Sequence, residues 1–386
     1  MTRLLPRRPT TASERLQRLD RRAGAAALLE AAHDPSIGVA RRALGWLAHD
    51  GSLAEREALR DFVWTCDPML ATDVAQTLRT LGDRDTVDAA IQRLGAGPTA
   101  QRCRAARVLQ RLADRRALPA LCRALTDEDA SVRAAALDAL VPLGPDAGAA
   151  RATALLLTDH DGEVRRRAVR AVGRMSRNPA AALRPALHDP LPAVRREAAV
   201  FASRLTADDL AVLFVDHDPQ VRAAAAAGAG HQSRAAVVSR LASDPHPAVR
   251  LAAAQTLALC GGQEAFAALV AAGLDDAEAT VRARALRLAA TWSRARLCAA
   301  LRAELTSENQ HRREMALRAL ARAAAQISEA QAAELALDPV PAVRLALAQV
   351  AAKLVASPER VFSPLAHDAD PTVRHAAATH RRRLAR

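Results

Sequence analysis

The sequence predicts an all-α protein, an α-solenoid (superhelix) of about twelve two-helix repeats of about 30 residues each. Three observations predict this fold class. Alanine, leucine and arginine dominate the 386 residues, whereas aromatic residues make up 2% and tyrosine is absent, which disfavours β-sandwiches and barrels. A short pattern ending in Val-Arg returns at a nearly constant step along the chain. Apolar residues after each copy recur at helical spacing.

The repeated pattern is an aspartate followed five residues later by Val-Arg, and it occurs eight times. Neighbouring copies begin 27 to 32 residues apart, except for one double-length gap, which Ser307 and the pair Arg312-Arg313 fill. Since the step from Asp34 to Asp368 averages about 30 residues, twelve repeats account for nearly the whole chain. Weaker copies keep this step upstream: Gly97 with Arg102-Cys103, Asp67 with Thr72, and Asp34 with Val39.

Each repeat is predicted to contain two helices. From Val164 to Met175 the apolar residues follow helical spacing, so the Val-Arg pair opens an amphipathic second helix. Asp218-Pro219 marks the start of one such helix, because the carboxylate caps it and proline is tolerated in the first turn. Starts of first helices are predicted at Asn178-Pro179, at Ser357-Pro358, and at Ser328 with Gln331, the last as a capping box.

This pattern resembles the bacterial HEAT-like repeats of the phycobilisome-lyase type over roughly residues 23 to 386. It divides the chain into a basic N-terminal tail with a capping helix (1–22), degenerate repeats (23–125) and regular repeats (126–386). The resemblance further implies that turn carboxylates and second-helix guanidinium groups form a ladder between stacked repeats. The predicted ladder residues are Asp127, Arg133, Asp159, Arg165, Asp189, Arg195, Asp216, Arg222, Asp244, Arg250, Asp276, Arg282, Asp338, Arg344, Asp368 and Arg374.

Charge and cysteine usage narrow the expected environment. The formal charge of +13 attracts acidic partners, nucleic acid included. Only Lys353 among the basic residues is a lysine, so part of the arginine excess reflects codon usage. Five scattered cysteines indicate neither a disulfide framework nor a zinc site, and no stretch of 18 apolar residues occurs. A cytoplasmic protein without membrane contact is expected.

The sequence predicts no catalytic residue, no metal site and no cofactor. Five histidines beside turn aspartates are one repeat position seen five times, about 30 residues apart, and so cannot converge on one metal. HEAT-like hydroxylases hold iron through His-Glu pairs, and this chain has no His-Glu dipeptide. HEAT-like alkylpurine DNA glycosylases use tryptophan faces, which draws attention to a local cluster of Trp46, Phe62 and Trp64. We interpret this cluster as large core residues of the degenerate repeats.

The candidate binding residues form a row along the second helices. Counting the valine as position zero, positions +2, +6 and +10 point away from the core, and the row is expected on the concave face. In one helix Arg166, Arg170 and Arg174 share this face, with no acidic residue after Glu163 to neutralise them. The predicted partner-binding residues are Arg166, Arg170, Arg174, Arg196, Arg204, Arg287, Arg318 and Arg322.

These observations predict a non-catalytic adaptor or scaffold that binds a macromolecular partner, a protein with an acidic surface, on its second helices. The alternative is a nucleic-acid-binding protein related to the alkylpurine DNA glycosylases. The row turns neutral at Ala223, Ala227, Leu251 and Gln255, and a track for a continuous duplex would keep its charge there. A lyase-like enzyme subunit is a third hypothesis that the repeat type leaves open.

Overall fold

The computed structural model describes residues 25–50, 53–230 and 234–384, and these residues form helices and turns without a β-strand. The predicted all-α solenoid fold is confirmed. The described helices form twelve successive pairs, as the repeat step predicts. The basic tail predicted at residues 1–22 lies outside the described residues, and the domain division remains a prediction.

The first helices of the pairs carry odd numbers here and the second helices even numbers. The first helices are α1 Ala25–Ala32, α3 Leu53–Thr65, α5 Asp85–Ala96, α7 Leu118–Ala124, α9 Ala147–Leu155, α11 Ala180–Leu187, α13 Ala207–Phe214, α15 Arg234–Ser243, α17 Gln263–Asp275, α19 Arg294–Ala303, α21 Glu329–Ala336 and α23 Pro358–Leu365. The second helices are α2 Ile37–Asp50, α4 Pro68–Thr80, α6 Thr99–Leu112, α8 Ala130–Leu140, α10 Gly162–Met175, α12 Pro192–Ala199, α14 Pro219–Gly228, α16 Pro247–Cys260, α18 Ala279–Trp292, α20 Gln310–Arg322, α22 Pro341–Leu354 and α24 Pro371–Leu384.

The chain divides into two compact units, residues 1–198 and residues 199–386, called here the N-terminal and C-terminal units. In the N-terminal unit the second helices from α2 to α10 pack each on the next. In the C-terminal unit α14 packs on α16, α16 on α18, α20 on α22 and α22 on α24. The core consists of alanine, leucine and valine from both helices of each pair, which lets neighbouring helices approach closely.

Helix starts follow the local sequence. The carboxylate of Asp218 accepts the N–H of Gln220 at 2.7 Å and so caps α14. Ser328 and Gln331 form the predicted capping box of α21. Ser357 precedes α23 without a side-chain cap, and α11 begins after Pro179 rather than after Asn178. The aspartate caps are therefore the more reliable of the predicted start signals.

The register predicted for two degenerate repeats is wrong by one or two residues. Asp67 does not hold the turn position, because it caps α4 directly by accepting the N–H of Met69 at 2.7 Å. Leu70, not Thr72, therefore takes the buried valine position. Arg102 likewise takes the place of the ladder arginine rather than that of the valine, since it bonds Asp127 at 2.8 Å. Because Leu70 and Gln101 stand at the valine position, the sequence offers no valine to fix either register.

Candidate partner-binding surface

The predicted ladder residues form bidentate ion pairs between consecutive repeats. Arg250 is typical: Nε and Nη2 donate to the two carboxylate oxygens of Asp276 at 2.7 and 2.8 Å. Its Nη1 donates to the backbone oxygen of Asp244, six residues earlier, at 2.8 Å. Each guanidinium thus joins its own turn to the turn of the next repeat, and this arrangement of one arginine and one aspartate is called a rung here. The same rung joins Arg133 to Asp159, Arg165 to Asp189, Arg222 to Asp244, Arg313 to Asp338 and Arg344 to Asp368.

Two rungs depart from this arrangement. Arg374, in the last described repeat, donates only to the backbone oxygens of Asp368 and Ala369. Arg282 makes the same two kinds of backbone bond, to the oxygens of Asp276 and Ala277, and the turn position of the repeat that follows it holds Ser307. Within the described residues, no carboxylate pairs with Arg282. The ladder is therefore interrupted between α18 and α20.

The rung carboxylates are almost fully buried, and their pKa values are shifted. Burial alone would raise the pKa of Asp159, Asp189, Asp244 and Asp276, but the arginine hydrogen bond and the backbone N–H two residues on outweigh it. The net result is a pKa below the ordinary value for each of these carboxyls. Their charged forms therefore contribute to the stability of the folded chain.

This shift predicts how stability depends on pH. A carboxyl with a lower pKa in the folded than in the unfolded chain stabilises the fold above the unfolded value, about 3.9, and this contribution is lost as pH falls through the folded value. We expect a flat melting temperature from pH 7 to pH 5 and a steep fall below about pH 4. Thermal unfolding followed by circular dichroism at a series of pH values measures this.

A matched pair of variants assigns the acid effect to the rungs. Asp244→Asn removes one rung carboxylate and is expected to flatten the fall below pH 4, whereas Glu308→Gln, at an exposed carboxylate, should leave the profile unchanged. Equal profiles for the two variants would show that the rungs do not cause the acid sensitivity.

The predicted basic row is partly neutralised in the N-terminal unit. Arg166 pairs with Glu163 at 2.7 Å and with Glu197 at 3.1 Å, and Arg170 holds Glu197 by two bonds of 2.8 Å. The hydrogen bond from Arg166, opposed by burial, lowers the pKa of Glu163 to about 2. The expectation that these arginines lack a counter-charge is therefore wrong for Arg166 and Arg170. Sequence inspection missed Glu197 because it lies on the next second helix, α12, 31 residues from Arg166.

A recess of about 470 Å³ in the N-terminal unit collects basic residues from the ends of successive second helices. Arg170 and Arg174 of the predicted row line it together with Arg79 and Arg111. Arg79 caps α6 by donating to the backbone oxygen of Arg111 at 3.4 Å. The C-terminal ends of helices carry partial negative charge, which accounts for arginine at such positions without a ligand. The recess alone therefore does not indicate a binding site.

A larger groove of about 820 Å³ lies between α18 and α20 in the C-terminal unit. Its floor is apolar: Leu286 of α18 is half-buried, and Leu297 and Leu301 of α19 and Met315 of α20 lie buried at its base. Of the arginines at its rim, Arg318 bonds Glu314 at 3.0 Å, whereas Arg287 donates only to a backbone oxygen of its own helix. The rim arginines are Arg282, Arg287, Arg318 and Arg322, three of which belong to the predicted row.

The groove has a cause in two residues of one repeat. Ser307 replaces the turn aspartate, and Arg312 replaces the valine that is fully buried in the neighbouring repeats. Arg312 stays half-buried and pairs with Asp275 at the end of α17, with Nε at 2.9 Å from Oδ1. As a result α20 packs against α17, and within the described C-terminal unit α18 and α20 do not pack together as the other consecutive second helices do. The space between them is the groove.

The remaining predicted binding residues lie elsewhere. Arg196 is exposed on α12, and Arg204 is half-buried in the short 3₁₀ turn at 202–204. Neither lines the recess or the groove. Five of the eight predicted arginines thus line one of the two cavities, Arg166 is held by two carboxylates, and Arg196 and Arg204 stand apart.

The aromatic cluster does not form a single surface. Each of its members is half-buried against a different neighbour, so the interpretation of the cluster as core residues is wrong. Arg42 lies 5.5 Å from the ring centre of Trp46, Arg93 lies 4.3 Å from that of Trp64, and the ring centres of His33 and Phe62 are 3.9 Å apart. These are three separate side-chain contacts among the N-terminal helices, and they offer no stacking platform for a base.

No group of three or more His, Cys, Asp or Glu side chains in residues 25–50, 53–230 and 234–384 could hold a metal ion. No helix within those ranges combines the length and the hydropathy of a membrane span. Burial raises the pKa of the thiols of Cys66, Cys103 and Cys122, which disfavours reactive thiolates.

Comparisons with known proteins concern the repeat type. The family model for HEAT repeats matches residues 87–173 and 207–290. No curated protein matches the sequence. An engineered protein of known structure is 18% identical, with 93% of this chain and 98% of that chain covered and a TM-score of 0.33. Importin beta is 12% identical, with 92% and 54% covered and a TM-score of 0.43.

A third solved structure, the complex of CpcE and CpcF of phycocyanin lyase from Nostoc, is 18% identical, with 75% of this chain and 99% of that chain covered and a TM-score of 0.34. Similarities of this size carry no information about function. The family match does identify HEAT repeats at residues 87–173 and 207–290, and the resemblance to HEAT repeats predicted from the Asp and Val-Arg pattern is confirmed.

Proposed function

We propose that the protein is a non-catalytic adaptor that binds an acidic protein partner through its second helices, with the groove between α18 and α20 as the principal contact. The groove carries the proposal, because it combines an apolar floor with a cationic rim. Protein interfaces bury an apolar centre inside a polar border, and charge at the border steers association. The other consecutive second helices of the described C-terminal unit pack directly on each other.

The charge of the rim supports an acidic partner. Glu314 is the acidic residue of the groove and is already paired with Arg318. Arg282, Arg287 and Arg322 have no carboxylate partner among the described residues. Cations that line one groove without counter-charges give a positive potential over its apolar floor. A partner segment with apolar and acidic side chains complements both features.

The nucleic-acid hypothesis finds less support in the same surface. A phosphate backbone needs cations at regular intervals and gains little from an apolar floor. On α14 and α16 the row holds Ala223, Ala227, Leu251 and Gln255, and the exposed Leu259 extends it with another apolar side chain. These second helices offer no cation to a backbone that would follow the row. The groove also provides no stacked aromatic platform for single strands.

A paired-variant experiment tests the proposal. The probes are a fluorescein-labelled amphipathic helical peptide with a leucine face flanked by glutamates, its glutamine counterpart, and a labelled DNA duplex. The double variant Arg287→Gln with Arg322→Gln replaces two rim cations and is expected to weaken binding of the glutamate peptide about tenfold, or about 1.4 kcal/mol. Fluorescence anisotropy at several salt concentrations gives the dissociation constants.

The control removes the same charge elsewhere. Arg123 and Arg151 are exposed or half-exposed arginines of first helices, and Arg123→Gln with Arg151→Gln should leave peptide affinity within about twofold. Equal losses in the two double variants would mean that net charge, not the groove, binds the peptide. Tighter binding of the duplex than of either peptide, with a steep log-linear salt dependence, would replace the adaptor proposal with the nucleic-acid one.

A further inference from the structure

We propose that the groove between α18 and α20 receives one amphipathic helix of the partner, and that a carboxylate of this helix completes the rung that Ser307 leaves open at Arg282. This inference rests on the proposed function and names the chemistry of the contact. The occupant is a short helical segment with leucine-like side chains on one face and glutamate or aspartate beside them.

Two donors of the Arg282 guanidinium, Nε and Nη2, are left unused within the described residues. In every regular rung, Nη1 donates to the arginine's own turn, while Nε and Nη2 hold the carboxylate of the next repeat. Arg282 makes the Nη1 bonds, at 2.5 and 2.8 Å, so its guanidinium is anchored to its own turn as in the other repeats. Nε and Nη2 have no hydrogen-bond partner within the described residues. A fork anchored in this way is pre-organised for bidentate contact with a carboxylate.

Within the described C-terminal unit, α18 and α20 lack the packing that joins the other consecutive second helices. Consecutive second helices elsewhere in the C-terminal unit bury their facing sides against each other. Between α18 and α20 that contact is replaced by a groove whose floor side chains include Leu286, Leu297 and Met315. An amphipathic helix in a hydrophobic groove uses side chains at i, i+3, i+4 and i+7 as anchors. Because the lining residues of α18 run from Ala279 to Ala290, about 18 Å at about 1.5 Å per residue, the groove accommodates about three turns of a bound helix.

Charge complementarity fixes the nature of the segment. Arg282 lies in the first turn of α18, while Arg287 and Arg322 lie further along the groove. Acidic residues one or two turns apart on the bound helix can meet these cations while its apolar face covers the floor. A small organic anion would satisfy Arg282 but leave most of the floor exposed, since ligands of that class favour enclosed pockets. An amphipathic helix can pair with Arg282 and cover the apolar floor at the same time.

The decisive variant is Ser307→Asp, which restores the carboxylate that the other turns carry. The added rung is expected to raise the melting temperature by several degrees. Because Arg282 is then occupied, binding of the glutamate peptide is expected to weaken at least tenfold. Ser307→Asn has nearly the same size without the charge and should do neither. Arg282→Lys keeps the charge but not the fork, and is expected to weaken the peptide several-fold without loss of helicity.

Anisotropy titrations with the labelled peptide, together with thermal unfolding, separate the outcomes. If Ser307→Asp binds the peptide as tightly as the wild type while Arg287→Gln with Arg322→Gln weakens it, the rung inference is wrong and the adaptor proposal stands. If none of these variants changes affinity, both are wrong. A peptide that loses no affinity when its glutamates become glutamines would also overturn the rung inference, even if it binds in the groove.

Discussion

Replacing Arg250 with alanine is expected to lower the free energy of unfolding by about 3 kcal/mol or more. The side chain is only 9% exposed, and it alone joins the turn of Asp244 to the carboxylate of Asp276. Its removal leaves a buried carboxylate without a cation and a turn oxygen without its donor, and both groups remain away from water. Equilibrium urea unfolding gives the loss directly.

Arg374→Ala is the matched control for this rung. Arg374 holds the same repeat position, but it is exposed and donates only to two backbone oxygens. We expect a loss below about 1 kcal/mol, because no buried charge is left unpaired. Amide hydrogen exchange around Asp276 should quicken in Arg250→Ala and stay unchanged in Arg374→Ala. Equal losses for the two variants would show that the ladder contributes no more than its backbone bonds.

Gly228→Ala is expected to destabilise the C-terminal unit by about 2 kcal/mol, because the new methyl group would be overpacked. Glycine inside a helix is ordinarily the less stable choice. Here a Cβ would lie 2.6 Å from the backbone oxygen of Ala199 and 3.0 Å from the Cβ of Ala202. A backbone oxygen cannot move aside as a flexible side chain can, so α14 has to shift.

Gly45→Ala, at a second helical glycine, is expected to stabilise the fold, in contrast to Gly228→Ala. No atom lies within 4 Å of a Cβ built at Gly45 in α2, so alanine meets open space there. We expect a gain of about 0.5 to 1 kcal/mol from the smaller entropy loss on folding. Urea unfolding of both variants side by side tests the pair. A stabilising Gly228→Ala would mean that the close approach of α14 to Ala199 does not constrain the fold.

The fold could be predicted from the sequence because its signals are local and repeated. An aspartate, a valine and an arginine at fixed offsets recur in most repeats, and each copy supports the same register. Where one copy lost its valine, as at Gln101, nothing local corrected the register, and Arg102 was placed one residue from its role. Errors in a repetitive chain stay confined to the repeat that lacks the signal, since each repeat contacts its neighbours only.

The candidate site was predictable to a smaller extent. The spacing of +2, +6 and +10 selected Arg287, Arg318 and Arg322, which line the groove. It did not select Arg282, which the sequence placed in the ladder with every other arginine of its position. The available signal was the coincidence of Ser307 and Arg312 in the next repeat, since both break the pattern at positions that elsewhere hold a paired carboxylate and a buried valine.

The sequence by itself determined the helical class, the repeat step and the partners of most rung residues, because each depends on offsets within one repeat or between one repeat and the next. The tertiary structure decided which cations face solvent. Glu197 neutralises Arg166 and Arg170 from the next second helix, and α18 and α20 leave between them a groove with an apolar lining that no count of residues reveals. Both effects arise from distances between side chains far apart in the chain, and those distances are set by how neighbouring helices pack.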